Sequence, residues 1–379
     1  MKISLLGIHF NIIEIILLLF LILYVPAQLV YNGFRIRIRN PKLFNIFIIS
    51  FALYLCFILI SITSAQNDFR VIKAFLKWAE ILIFSILIFL YVHNFENFKK
   101  IYWIFWISNF GFILVVLINI FLKKYGLFDH RIFPSYSAAI ALALLLPFAG
   151  LKSKIPVIFS VLCFFSAFLS LSRGVWLILL IFIVLILKDF FLKKKKLTIC
   201  LAFIFGVVTF LFTPIGDLFE FRMEGTKASN IERIGMAKLA IQAFKESPVT
   251  GIGSLNFPNY FMSNADRSMI RSEHPELLEP HNVFLQIAAE EGVFALFSFG
   301  VLIFIIYYVV FNGSKSLTTS IELLPYLTGL KYLAIVITVN LLFGFISDQF
   351  RLVYASYFGL SLSILRLKIK DEKMHVFSQ

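Results

Sequence analysis

The sequence predicts an all-α polytopic membrane protein of about 11–12 transmembrane helices with one long outer loop that contains amphipathic helices. Three observations carry that prediction. The 379-residue chain is 60% hydrophobic, includes 47 Phe, and is only 15% charged, against roughly 25% in a soluble domain. Its mean hydropathy is +0.92. Apolar runs of membrane-spanning length recur along it with polar punctuation between them. This composition excludes a soluble enzyme and a disordered chain, with residues 371–379 alone turning polar as a tail.

Eleven spans follow from the requirement that about 20 apolar residues cross a hydrocarbon core of about 30 Å. They run over residues 11–31, 43–64, 71–93, 101–122, 135–150, 155–172, 174–192, 197–214, 282–311, 326–346 and 351–368. The fifth is short, and the ninth exceeds what a span requires, so its first turns are expected to project into water. Residues 1–10 are expected to form a half-helix or part of a further span. No cleavable signal peptide is expected, because the first apolar stretch continues to span length without a small-residue cleavage site. Cys56, Cys163 and Cys200 each sit in an apolar run and suggest neither a disulfide framework nor a zinc site.

Orientation follows from the basic residues. With the carboxyl end cytoplasmic, 19 of the 35 Lys and Arg fall on the inner side, among them Arg35, Arg37, Arg39, Lys99, Lys100 and the run Lys193 to Lys196. Of the other 16, seven lie in one long connection that does not count toward orientation, which leaves nine. The net charge of +14 is thereby a topology signal, and no nucleic acid partner is implied; the bilayer is the partner.

Residues 215–280 break the membrane pattern and hold nine of the 21 acidic residues. The chain is thus expected to divide into an amino-terminal bundle (1–214), an outer loop or helical cap (215–280), carboxyl-terminal helices (281–370) and the tail. Within the loop, Ile234, Ala237, Ile241 and Phe244 recur at helical spacing from Ile231 to Glu246, with Asn230 placed as a cap. This helix is expected to lie on the membrane surface, apolar face down. Ser247-Pro248 ends it, and Gly251-Ile252-Gly253 reads as a turn that needs glycine for backbone freedom, in preference to a phosphate cradle.

The candidates for chemistry cluster near the outer boundary. His281 opens the ninth span, where a helix amino terminus favours a neutral imidazole; by position it is a capping or interfacial residue or a base. Arg173 lies in the tight outer turn of Leu171-Ser172-Arg173-Gly174-Val175-Trp176, either as an anchor reaching the interface or as a cavity-facing cation. Arg233 starts the amphipathic helix, and Arg222, Arg267 and Arg271 share its loop. Glu14, Glu80, Asp348 and Arg351 are ionisable groups in or near spans; Asp348 and Arg351 are three apart and can pair. The sequence contains no Walker loop, HExxH, CxxC or Asp-x-Asp, so no cofactor or metal is expected.

The segments Ser172-Arg173-Gly174-x-Trp176, Arg233, Ser247-Pro248-x-x-Gly251-x-Gly253-x-x-x-Phe257 and His281-Asn282-x-x-Leu285 leading to Glu291-Gly292 resemble, in content and order, the O-antigen ligase and polymerase superfamily. The resemblance covers about residues 155–310. It implies a GT-C-like membrane glycosyltransferase of the bacterial inner membrane, with its site facing the periplasm. It implies a donor glycan on undecaprenyl diphosphate, transferred with inversion and without metal to an acceptor hydroxyl, lipid A core in a ligase. By the same resemblance His281 activates or orients the acceptor, Arg173 and Arg233 bind the diphosphate, and Arg222 and Asn282 are substrate-binding. Ala295 departs from the family's frequent glycine. A repeat-unit polymerase and a protein O-oligosaccharyltransferase share these motifs. The rival from another class, a lipid-linked glycan flippase, would show internal repeats and midplane charges, and neither is apparent.

Overall fold

The computed structural model describes residues 2–5, 8–11, 38–121, 135–148, 155–170, 172–191, 233–265, 279–313, 322–344 and 351–367. The expected spans 11–31 and 197–214, the Lys193 to Lys196 run, the tail, Glu14, Arg222, Arg267, Arg271 and Asp348 lie outside the described residues.

Eleven helices are described. They are α1 (Pro41–Ile60), α2 (Asp68–Tyr91), α3 (Phe95–Phe121), α4 (Ser135–Leu145), α5 (Ile155–Leu169), α6 (Arg173–Phe191), α7 (residues 233–246), α8 (Phe257–Asn264), α9 (Val283–Tyr308), α10 (Leu324–Phe343) and α11 (Arg351–Ser363). Among the described residues the fold is all-α but for one short antiparallel hairpin, in which β1 (Lys2–Leu5) pairs with β2 (Ile8–Asn11). The hairpin takes the place of the half-helix, one of the two forms that the sequence suggested for residues 1–10. Lys2 and Ser4 alternate with Ile3 and Leu5, a period of two that suits a strand.

Local chemistry sets the helix limits. The Asn40 side chain accepts the Leu43 amide at 3.2 Å and Pro41 follows at the first helical position of α1. Asn67 caps α2 in the same way, and Asp68 lies in its first turn, where the helix dipole favours a negative charge. Four described helical segments, Pro41–Ser64, Asp68–Tyr91, Val283–Gly313 and Leu324–Phe343, are long and apolar enough to cross a membrane. The 31 residues of Val283–Gly313 extend about 46 Å at 1.5 Å per residue, more than the hydrocarbon core requires. α4 is short for a different reason. It is the central helix: Ala138 to Leu145 are all at most 3% exposed, packed by α3, α5 and α10. Outward-facing residues of the surrounding helices, among them Ile49, Ile158 and Phe165, are more than half exposed and suit lipid.

The polar ties divide by end. At one end the Arg39 guanidinium donates to the Gly313 carbonyl at 3.0 Å, its amide donates to Leu365, and Arg366 donates to Phe89 and Leu90 carbonyls. At the other end Ser64 hydrogen-bonds Thr250, and Asn67 exchanges hydrogen bonds with Asn256. Arg173, Arg233 and His281 all belong to helix starts at this second end.

Between α2 and α11, Arg351 pairs with Glu80 in the interior. The sequence suggested Asp348 as its partner. The partner seen comes from another helix, 271 residues away in the chain.

Candidate active site

The site is framed by a lock between the long helix α9 and the loop that follows α7. Gly292 interrupts α9 with φ 84° and ψ −177°, a backbone region open almost only to glycine. A kink there frees carbonyls of the preceding turn, which would otherwise lack donors. The loop supplies them: the Ile252 amide donates to Ala289 O at 3.0 Å and the Gly253 amide to Glu290 O at 2.9 Å. In the other direction, the Val293 amide donates to Pro248 O at 2.9 Å. Gly251 and Gly253 hold positive φ, and a side chain on Gly251 would collide with the Glu290 backbone. The Gly-x-Gly is therefore a close-packed turn, as the sequence reading preferred.

Side chains complete the lock. Ser254 Oγ donates to Glu291 Oε1 at 2.6 Å, and the Phe257 amide donates to Glu290 Oε1 at 2.9 Å. Glu290 and Glu291 are almost fully buried, so these bonds replace lost hydration. α7 and α8 add a small separate core on the same turn of α9, built from Met236, Leu239, Ala240, Ala243, Phe257 and Phe261 with Ala289. Tyr260 Oη donates to Glu246 Oε2 at 2.8 Å and joins the ends of α7 and α8. This bond, after one from Gln242, holds the Glu246 carboxyl below its usual range.

The expected apolar stripe of α7 does not face this core. Ile234 and Ile241 are exposed, while the buried face carries Met236, Leu239, Ala240 and Ala243. The helix is apolar on two sides, so periodicity alone did not show which one meets the protein.

His281 precedes α9 and is half-buried. Burial, then the charge of Arg233, then that of Arg173 push its imidazole down to about 4. All three disfavour the cation, so the imidazole is neutral near neutral pH. The sequence reading attributed neutrality to the helix end; burial and the two guanidiniums are the causes found. Asn282, next along, caps α9 by accepting the Leu285 amide at 2.9 Å, while its amide nitrogen donates to Leu342 O of α10 at 3.2 Å. It fixes where His281 stands.

Arg173 begins α6 and is exposed; Arg233 begins the described part of α7 and is half-buried. The turn that presents Arg173 is closed by Trp176. Its indole nitrogen donates to Phe168 O at 2.9 Å, and its ring stacks on Phe168 with centroids 5.7 Å apart. That explains the Ser-Arg-Gly-x-Trp spacing: the tryptophan reaches back one turn onto α5 and holds the arginine at the rim. Residues from three distant parts of the chain, Arg173, Arg233 and His281, thus share one electrostatic neighbourhood. Arg222 lies outside the described residues.

Sequence reasoning missed a polar group beside them. Tyr136, at the start of α4, hydrogen-bonds the Asn340 side chain and feels the charge of Arg233. Asn340 Oδ1 in turn accepts from Tyr354 Oη at 2.9 Å. These residues sit inside apolar runs with no motif around them; only an asparagine within a span hinted at a role.

A separate polar cavity lies along α9, lined by Lys77, Trp78, Gln286, Glu290, Glu291 and Arg351 among others. None of Arg173, Arg233 and His281 lines it. It is walled by Arg351 of α11 and the turn of α9 that precedes the kink, and we read it as a gap in the structural lock.

Residues 158–300 match the sequence model of the family described as O-antigen ligase. The match contains every motif on which the resemblance rests. No individual curated protein matches the chain.

Proposed function

We propose that this chain, whose residues 158–300 match the O-antigen ligase family model, transfers a glycan from undecaprenyl diphosphate to an acceptor hydroxyl. The observation that carries the reading is the convergence of a neutral His281 with Arg173 and Arg233. A base and two forked cations in one electrostatic neighbourhood match the needs of the reaction.

The acceptor oxygen attacks the anomeric carbon from the face opposite the diphosphate, giving inversion. Its proton passes to His281, which is uncharged and able to accept it. The bond between the anomeric carbon and the diphosphate oxygen breaks, and the electron pair leaves with that oxygen. Arg173 and Arg233 stabilise the growing negative charge through paired N–H donors. No metal is needed for this charge balance. Bound diphosphate also offsets the two guanidinium charges that depress His281, so donor binding makes the imidazole a stronger base as the reaction begins.

The acceptor we favour is lipid A core, making the chain a ligase. The site then faces the periplasm from the inner membrane, with residues 215–280 as its cap and Arg222 and Asn282 flanking the substrate. The segregation of Arg39 and Arg366 to the opposite end supports this orientation.

The test incubates the purified protein in nanodiscs with undecaprenyl-diphosphate glycan and three acceptors: lipid A core, a second lipid-linked repeat, and an acceptor protein. Each is run with and without EDTA. Transfer to lipid A core, insensitive to EDTA and inverted at the anomeric carbon, is expected. Transfer to another acceptor alone moves the assignment to polymerase or protein glycosylation. Abolition by EDTA contradicts the metal-free mechanism, and lipid-glycan flipping with no transfer makes the chain a transporter.

A further inference from the structure

Tyr136 has a placement that the reaction scheme above does not use. A Cβ on Gly174 would lie 2.6 Å from its hydroxyl oxygen, so the hydroxyl rests against the backbone of the residue that follows Arg173, at the first turn of α6. That turn carries unsatisfied N–H groups and the positive end of a helix dipole. Tyr136 also lies in the field of Arg233. The phenol thus lies against the turn that begins with Arg173 and within the field of Arg233.

Its hydrogen-bonding role follows from its neighbours. Tyr354 Oη donates to Asn340 Oδ1 at 2.9 Å, and both residues are at most 2% exposed. With its oxygen engaged there, the Asn340 amide meets Tyr136 through its N–H group. The Tyr136 oxygen is the acceptor in that bond, and its O–H keeps the character of a donor. A donor held at a helix start and in the field of a guanidinium is complementary to an anion. Gly174 is required for this approach, which gives the glycine of Ser172-Arg173-Gly174 a purpose beyond the turn.

We propose that Tyr136 is a third donor to the diphosphate, bonding one of its oxygens beside Arg173 and Arg233, with Asn340 and Tyr354 as the positioning residues that aim it. The proposal rests on the reading of the site as a diphosphate site. It predicts a substrate class defined by the diphosphate and not by the sugar.

The test measures binding of undecaprenyl diphosphate to the full chain in nanodiscs, with transfer kinetics alongside. A hydrogen bond to a charged group is worth about 1.5–3 kcal/mol, so Tyr136→Phe is expected to weaken binding about 10- to 100-fold and to lower kcat, leaving KM for the acceptor unchanged. Tyr354→Phe, which frees the Asn340 oxygen without touching the site, is expected to produce a smaller loss in the same direction. Site-specific replacement of Tyr136 by 3-fluorotyrosine keeps the shape and makes the phenol more acidic. It is expected to tighten binding below the phenol's own titration, which a packing role would not do. Diphosphate binding within twofold of wild type in Tyr136→Phe overturns the proposal. If that variant does not fold, unchanged affinity with 3-fluorotyrosine overturns it. If folded wild type binds no diphosphate, the reading of the whole site fails and the proposal with it.

Discussion

Gly292 and Val249 meet so closely that a Cβ on the glycine would fall on the valine carbonyl. The contact joins the kink of α9 to the loop after α7, and it fixes how the cap sits over the helix start that bears His281. Alanine at 292 must both adopt φ 84°, at a cost of about 1–3 kcal/mol, and displace the loop. Gly292→Ala is expected to lower the unfolding temperature and to reduce activity. Gly300 lies on the same helix with open space where its Cβ would go; Gly300→Ala is expected to be neutral or stabilising by up to about 1 kcal/mol. Thermal unfolding of the two variants checks the contrast.

The Glu80–Arg351 pair joins α2 to α11 with side chains 12% and 2% exposed. Removing one partner strands a charge in the interior and is expected to destabilise by about 3–5 kcal/mol. Glu80→Gln shows this loss in denaturant or thermal unfolding. The double variant Glu80→Leu, Arg351→Met recovers most of it, because matched apolar residues leave no charge unpaired.

The depressed His281 gives a specific pH dependence. The neutral imidazole persists down to about 4 in the free protein, so the acid limb of kcat/KM is expected near that pH. Donor binding offsets the arginine charges and raises the group, so the acid limb of kcat lies higher. Arg233→Gln removes one depressing charge and moves the limb of kcat/KM upward while lowering the rate. Stability follows the same sign: the unfolded chain binds the proton at the ordinary value of 6.5, so folding is weakened as pH falls below that value. Rate profiles from pH 3.5 to about 8, the range that covers both the depressed and the ordinary histidine values, measure all of this.

Lysine is not a substitute for arginine where two donors must grip a phosphate. Arg173→Lys keeps the charge and loses the fork, and is expected to lower kcat/KM about 10- to 100-fold, in line with the loss of one charge-assisted hydrogen bond. The measurement is steady-state transfer; donor binding should fall with it.

The exposed Ile234 and Ile241 of α7 are expected to rest on the outer leaflet. Spin labels at these two positions should report lipid contact by oxygen accessibility, and labels that report water at both would contradict this placement.

Much of this architecture is legible in the sequence because lipid imposes a length and composition that few other constraints blur. The expected spans 43–64 and 71–93 fall within a few residues of Pro41–Ser64 and Asp68–Tyr91. Arg173, Arg233 and His281 were singled out through motif order, and the fold brings them within electrostatic reach of one another. Tyr136 and Asn340 were not, because a polar residue in an apolar run carries no signal of which distant partner it meets. The Glu80 partner of Arg351 was not legible, because helix neighbours three apart are visible in a sequence, whereas a contact with Glu80 is set by how α2 packs on α11. The face of α7 that meets the protein, Met236, Leu239, Ala240 and Ala243, was not legible, because the stripe read from the sequence, Ile234 and Ile241, is the exposed one.

The most direct test of the central claim separates donor binding from transfer in purified protein. Undecaprenyl-diphosphate glycan binding and glycan transfer are measured for wild type, His281→Ala, Arg173→Ala and Arg233→Ala. The account predicts that His281→Ala binds the donor and does not transfer it, while the arginine variants lose both binding and transfer. Transfer at the wild-type rate by His281→Ala, or undiminished donor binding in both arginine variants, would contradict it.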